Sequence, residues 1–166
     1  MSDSVQIFDR RALRHHRDRA APGLVKHDFL FRETADRLAD RLLDITRRFP
    51  RALDLGCHGG ELQDALAGRG GIEHMVESDL SEGLARRADG VVVDEELLPF
   101  AEQSLDLVAS NLALHWVNDL PGCLAQIRRI LKPDGLFLAT MLGGETLIEL
   151  RRAWMEAELA EEGGVS

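Results

Sequence analysis

From Phe31 onward, apolar residues at Phe31, Ala35, Leu38, Leu42, Ile45 and Phe49 recur at steps of four and three. That period places one stripe along one face of a helix. Arg32, Asp36, Asp40, Arg41 and Arg47 fall largely off the stripe, and Pro50 is the expected stop, because proline cannot donate to the helical ladder. Beyond Pro50 the pattern changes. Short apolar runs at 52–55, 72–79, 91–93, 105–110 and 136–142 predict five strands. Helical spacing at 61–67, 82–88 and 120–131 predicts the helices between them, and Leu147, Leu150 and Trp154 share one face of a last helix. Lys132-Pro133-Asp134-Gly135 predicts a turn before the fifth strand. The strand runs are continuously apolar, as in strands covered on both faces. The expected fold is therefore α/β, a Rossmann-like doubly wound parallel sheet with helices on both sides.

A length of 166 residues fits one domain. It divides into a basic segment plus helix over 1–50, broken at Pro22-Gly23, and a sheet core over 51–166. The formal net charge of -9 argues against nucleic acid as the main partner, since phosphate binding needs clustered Lys and Arg. Arg10, Arg11, Arg14, Arg17 and Arg19 form a local basic run. It reads as a solvated helix face in preference to a docking surface. Asp3, Asp9 and Asp18 within that segment count against a transit peptide. The longest apolar stretches, such as 135–142, are too short to span a bilayer, so no transmembrane segment is expected. Cys57 and Cys123 form neither a metal-type pair nor a disulfide framework, and a reducing, cytoplasmic setting is expected.

In a parallel sheet, ligands bind beyond the carboxyl ends of the strands. Asp54-Leu55-Gly56-Cys57-His58-Gly59-Gly60 follows the first strand and opens a helix, as a nucleotide loop does. Its spacing fits neither the dinucleotide fingerprint nor a phosphate loop, and an ordinary glycine turn is the alternative. Asp79, at the end of the second strand, can accept hydrogen bonds from a ribose diol or can cap the next helix, a role Ser81 could serve equally well. Asp94, ending the third strand, can receive an adenine amino group or can be a solvated loop acid. Three acids at three consecutive strand ends are far less expected by chance than any one.

The segments ALDLGCHGG, VESDLS, VVVDEELLPF, SLDLVASNLALHW and ILKPDGLFLATM, in order across 51–142, resemble class I S-adenosylmethionine-dependent methyltransferases. The resemblance implies S-adenosylmethionine as cofactor. Asp54, Gly56 and Gly60 would line its methionine end, Asp79 would hold the ribose, Asp94 the adenine, and Asn111 would sit beside the methionine moiety. One departure is His58, which stands where the family loop has its middle glycine; an outward side chain on a negative φ is expected. IFDRRALRHHRDRAAP, HDFL, ADRLADRLLDI, NLALHWVNDLPGCLAQIRRILKPDGLF and GGETLIELR further resemble the arginine-hydroxylating assembly-factor family of mitochondrial complex I and its bacterial relatives. That resemblance implies action on an arginine of a respiratory-complex subunit. The chain is also similar, less closely, to the carboxyl O-methyltransferase of biotin synthesis that acts on malonyl carrier protein.

Catalytic candidates are few. His115 can act as a base near neutral pH, and Trp116 can wall the pocket or stack on a guanidinium; the pair can equally be packing under the next helix. Cys57 reads as packing beside the loop. His16-Arg17-Asp18 spells the start of an iron triad with no second histidine paired to it, so no metal is expected. The methyltransferase fold adds two antiparallel strands after the last helix, and nothing strand-like follows Trp154. The core is therefore expected to lack its last two strands and to expose a sheet edge that invites self-association. The readings left open are an enzyme acting on a protein substrate and a non-catalytic assembly scaffold that retains the fold.

Overall fold

The computed structural model describes residues 6–162. Five parallel strands, β1 (Arg51–Leu55), β2 (His74–Asp79), β3 (Val91–Val92), β4 (Leu105–Asn111) and β5 (Leu131–Thr140), pair in the order β3-β2-β1-β4-β5. The order reverses between β1 and β4, which opens a crevice beyond their carboxyl ends. Helices α1 (Arg10–Ala20), α2 (Phe29–Asp40), α3 (Glu61–Leu66), α4 (Glu82–Arg87), α5 (Leu120–Ile130) and α6 (Ile148–Glu162) complete the chain, with short 3-10 turns at Ala21–Lys26 and Leu114–Trp116.

The alternation of side chains along each strand divides the core in two. Leu53, Leu55 and Val108 pack with Cys123, Ile127 and Ile130 of α5. Ala52, Leu107 and Ala109 pack on the opposite face with Ala35 and Leu38 of α2 and Leu62 and Leu66 of α3. Both faces of the central strands are thus covered, and the expectation of a doubly wound parallel sheet holds. Both cysteines are buried free thiols.

Three local expectations are corrected. The stripe from Phe31 to Phe49 is not one helix: α2 ends at Asp40, nine residues before Phe49, and Pro50 is not its stop. Leu42 and Phe49 remain buried in the α2–α3 cluster even so, because irregular chain can present apolar side chains to the same core. The turn expected at 132–135 lies inside β5 as an irregularity. Pairing jumps from Leu105↔Leu131 to Leu107↔Leu136, and Asp134 adopts φ 61. Finally, Leu147 is not part of the last helix: it precedes α6 with φ 58, and Leu147, Leu150 and Trp154 are all exposed.

A groove of about 1010 Å3 lies between α5 and β5 and contains none of the strand-end acids. No helix among the described residues is long and apolar enough to cross a membrane. Phe49 tests the irregular segment after α2. At 1% exposure, Phe49→Ala should lower the unfolding free energy by about 3–5 kcal/mol in a urea titration. A change below about 1 kcal/mol would show that this segment is not part of the core.

Candidate functional site

The end of β1 is held rigidly. Ser78 Oγ donates to the Asp54 carbonyl at 2.9 Å and Ser110 Oγ to the Leu55 carbonyl at 2.6 Å. The amides of Gly56 and Cys57 both donate to the Ser78 carbonyl at 2.8 Å. Gly56 needs its missing side chain. Its φ is 82, and a Cβ there would lie 2.2 Å from that of Ala113. Gly60, φ 93, turns the chain into α3.

His58 differs from its expectation. Its φ is 51, and its ring is buried, not turned outward. Nε2 lies 2.9 Å from the Asn111 carbonyl, and the ring stacks 4.2 Å from Phe31. Burial lowers its pKa to about 4, so the imidazole is neutral at ordinary pH. A non-glycine residue held at positive φ beside a ligand loop is strain of the kind that functional sites tolerate.

The strand-end acids converge as expected. Asp54 is completely buried, and neither carboxylate oxygen has a hydrogen-bond partner among the described residues. Burial, then Glu77, Asp79 and Glu61, hold its carboxyl well above the usual range. Its neighbour in register is Glu77. Burial foremost, with Asp64 and Glu61 adding repulsion, raises Glu77 to about 7. Glu61 accepts from the Gly59 amide at 2.9 Å. Asp79 accepts from the Ser81 amide at 2.8 Å and from the His58 amide at 3.2 Å. The cap of α4 is Ser81, whose hydroxyl accepts from the Leu84 amide. The capping alternative for Asp79 is thus met by another residue. Asp94 accepts from the Glu96 amide at 2.9 Å.

Four residues that the sequence reading did not place in the site are here. Glu95 is fully buried beside Asp94. Arg17 Nη1 reaches Asp79 at 3.2 Å and Glu95 at 3.0 Å. Arg10 Nη2 donates to Asp94 at 2.6 Å and also to Glu95. Phe31 covers His58. Arg10 and Arg17 are thus not part of a solvated face. Their spacing of seven, two helical turns, was the available signal. Asn111 is buried. Its Nδ2 donates to the Phe31 carbonyl at 2.8 Å and its Oδ1 accepts from Thr140 at 2.6 Å.

A pocket of about 380 Å3 opens beside the loop, with Arg17, Phe31, His58, His115 and Trp116 among its walls. Burial, then the charge of Arg17, lowers the pKa of His115, and its Nδ1 is buried without a partner among the described residues. Trp116 is partly exposed and packs edge-on against Phe8 at 5.4 Å. His16 also lines the pocket, whereas Asp18 is engaged by Ser81 and the Gly83 amide. Among the described residues no cluster of three His, Cys, Asp or Glu is arranged to hold a metal ion.

The model of the methyltransferase domain family matches residues 53–139, more than half of the chain. The chain belongs to this family. It is 45% identical over 172 residues to the human protein named arginine-hydroxylase NDUFAF5, mitochondrial, covering 98% of this chain and 50% of that protein. It is 35% identical over 170 residues to a malonyl-[acyl-carrier protein] O-methyltransferase of a Methylovorus species, covering 92% of this chain and 57% of that one. Among solved structures, a chain of the complex between the Haloferax volcanii Trm112 methyltransferase activator and a putative methyltransferase superposes with TM-score 0.67 at 27% identity. That match covers 74% of this chain and 58% of that chain. The chain spans about half the length of the human relative. The methyltransferase match begins at Leu53 in β1 and ends at Ala139 in β5, so it contains the glycine loop and all three strand-end acids.

Glu77 makes a pH prediction for this methyltransferase core. Its pKa rises from the ordinary 4.5 to about 7 on folding. Below the ordinary value it costs nothing. As pH climbs from the ordinary value to the folded one, the unfolded chain ionises this carboxyl while the native state still holds its proton, so stability falls across that window and levels off above it. Glu77→Gln should flatten the dependence of Tm between about pH 5 and pH 8 and raise Tm at the upper end. Identical Tm profiles for the two proteins would contradict it.

Proposed function

We propose that the chain binds S-adenosylmethionine across the carboxyl ends of β1, β2 and β3 and acts as an S-adenosylmethionine-dependent methyltransferase-type enzyme. The observation that carries this reading is Asp54, a fully buried carboxyl with no hydrogen-bond partner among the described residues, crowded by other acids and followed two residues on by Gly56 of the loop. Its raised pKa keeps it protonated while the site is empty, and a cationic ligand would favour its ionised form; S-adenosylmethionine carries both an ammonium and a sulfonium. Asp54, Gly56 and Gly60 would hold its methionine end with Asn111 nearby, Asp79 its ribose and Asp94 its adenine. Residues 51–166 would be the cofactor core and 1–50 its cover.

When bound, the cofactor supplies a methyl group already activated by the sulfonium. The protein's task is then mostly positioning. The pocket under α1 would orient the acceptor, Trp116 and Phe31 would exclude water, and neutral His115 would accept a proton on Nδ1. The relatives named arginine-hydroxylases support an arginine of a protein, such as a respiratory-complex subunit, as the group acted upon. A guanidinium could stack on the exposed face of Trp116. Hydroxylation instead of methylation, or carboxyl methylation as in the malonyl-carrier relatives, would use the same pocket. Two free thiols fit a reducing, cytoplasmic setting. A second reading, a non-catalytic assembly scaffold able to self-associate at β5, is favoured by the uncovered apolar residues of α6.

Calorimetry with S-adenosylmethionine and S-adenosylhomocysteine tests the binding claim, and absence of heat with either on folded protein would sink it. Mass spectrometry of candidate subunits after co-expression separates the chemistries: a methylene increment, an oxygen increment, or co-purification without either. Asp79→Asn should remain folded, because Ser81 caps α4. It should also lose cofactor affinity at least tenfold, since hydrogen bonds to a charged group contribute about 1.5–3 kcal/mol. Unchanged affinity in a folded Asp79→Asn protein would remove Asp79 from the site.

A further inference from the structure

Helix α1 is a cover with little apolar surface of its own. Its sequence, RRALRHHRDRA, offers only Ala12, Leu13 and Ala20 as apolar residues. Polar contacts fasten it. Arg10 holds Asp94, Glu95 and, at 3.2 Å, the Trp116 carbonyl. Asp18 accepts from Ser81 Oγ at 2.5 Å and from the Gly83 amide at 3.1 Å. Arg17 sits deepest, with its side chain 9% exposed.

Arg17 occupies Asp79, which the proposed function assigns to the ribose, and Glu95, the sequence neighbour of Asp94. Oδ1 of Asp79 already takes the Ser81 amide and Arg17 Nη1, and Oδ2 takes the His58 amide. A diol seeking both oxygens would meet a carboxylate whose acceptor capacity is mostly in use. The guanidinium is itself poorly served. Nη1 makes both ion pairs, while Nη2 is buried with no partner among the described residues. It pairs through one nitrogen instead of the bidentate fork that binds carboxylates best.

We propose that Arg17 is an internal placeholder for the ligand: it neutralises Asp79 and Glu95 while the site is empty, latches α1 over the strand ends, and is displaced when a ribose-bearing ligand binds. The inference rests on the cofactor reading for its ligand but not for its latch. A ligand and α1 docking that compete for one carboxylate are thermodynamically linked, so weakening one strengthens the other. Arg17 thereby sets the affinity of the site without being part of the ligand's own contacts.

The test compares wild type with Arg17→Met, Arg17→Lys and the charge-matched control Arg19→Met, whose side chain is exposed on the same helix. Circular dichroism first establishes that each is folded. In ligand-free protein, Arg17→Met should speed hydrogen exchange of the α1 amides several-fold; Arg19→Met should not, and Arg17→Lys should lie between. With S-adenosylhomocysteine, which lacks the sulfonium charge, Arg17→Met should bind about tenfold more tightly than wild type, and Arg19→Met should match wild type. Unchanged α1 protection in Arg17→Met overturns the latch. Weaker binding by Arg17→Met, restored in Arg17→Lys, overturns displacement and makes Arg17 a direct ligand contact. No binding by any of the four proteins, with α1 protection still dependent on Arg17, supports the latch and refutes the cofactor reading instead.

Discussion

Carboxylates buried at the ends of parallel strands must be compensated, because an ionised acid removed from water costs several kcal/mol unless it finds donors or a cation. This chain buries Asp54, Glu61, Glu77, Asp79 and Glu95 in and beyond the first strands of its sheet. Each is settled in a different way. Glu95 takes two guanidinium groups, Asp79 takes two amides and a guanidinium, and Glu61 takes an amide of the glycine loop. Glu77 is settled by a raised pKa. Asp54, completely buried and, like Glu77, with neither oxygen partnered among the described residues, is held well above the usual carboxyl range. The placement of α1, whose Arg10 and Arg17 reach Asp94, Glu95 and Asp79, answers part of that crowding.

The sheet supplies the convergence. Parallel pairing of β1 with β2 on one side and β4 on the other sends three carboxyl ends to the same rim. Covering helices then force the strands to be apolar on both faces, so polar residues cluster at the ends, where the chain leaves the sheet. The loop after β1 has to pass close to Ala113, which only glycine at position 56 allows. His58 takes the next strained position and fills it with a neutral ring locked between Phe31 and the Asn111 carbonyl. Shape at this end of the crevice is therefore particular to this chain's own loop.

The opposite margin of the sheet is less finished. Among the described residues β5 is an edge strand, with Leu136, Phe137 and Leu138 only half-buried, and Leu147 before α6 and Leu150 and Trp154 on it are open to solvent. In the relatives, a comparable length of chain lies outside the matched region. Apolar edges of this kind are where a sheet gains partners.

Periodicity in the sequence was enough to order the strands and helices, to make the sheet parallel, and to send Asp54, Asp79 and Asp94 to adjacent strand ends. Those features are local: each depends on the repeat of apolar residues or on where an apolar run stops. What the repeat could not show was which charges meet. Arg10 and Arg17 are 84 and 62 residues from Asp94 and Asp79, and along the chain they look like any solvated basic run. Folding α1 over the rim turns them into the counterions of the site. The end of α2 at Asp40 and the inward turn of His58 were likewise hidden, since an apolar stripe does not reveal whether its backbone stays helical, and φ at a non-glycine residue is fixed by packing around it. The sequence by itself determined where the acids would gather. Only the tertiary structure decided what neutralises them, because compensation of a buried charge is a contact between distant segments.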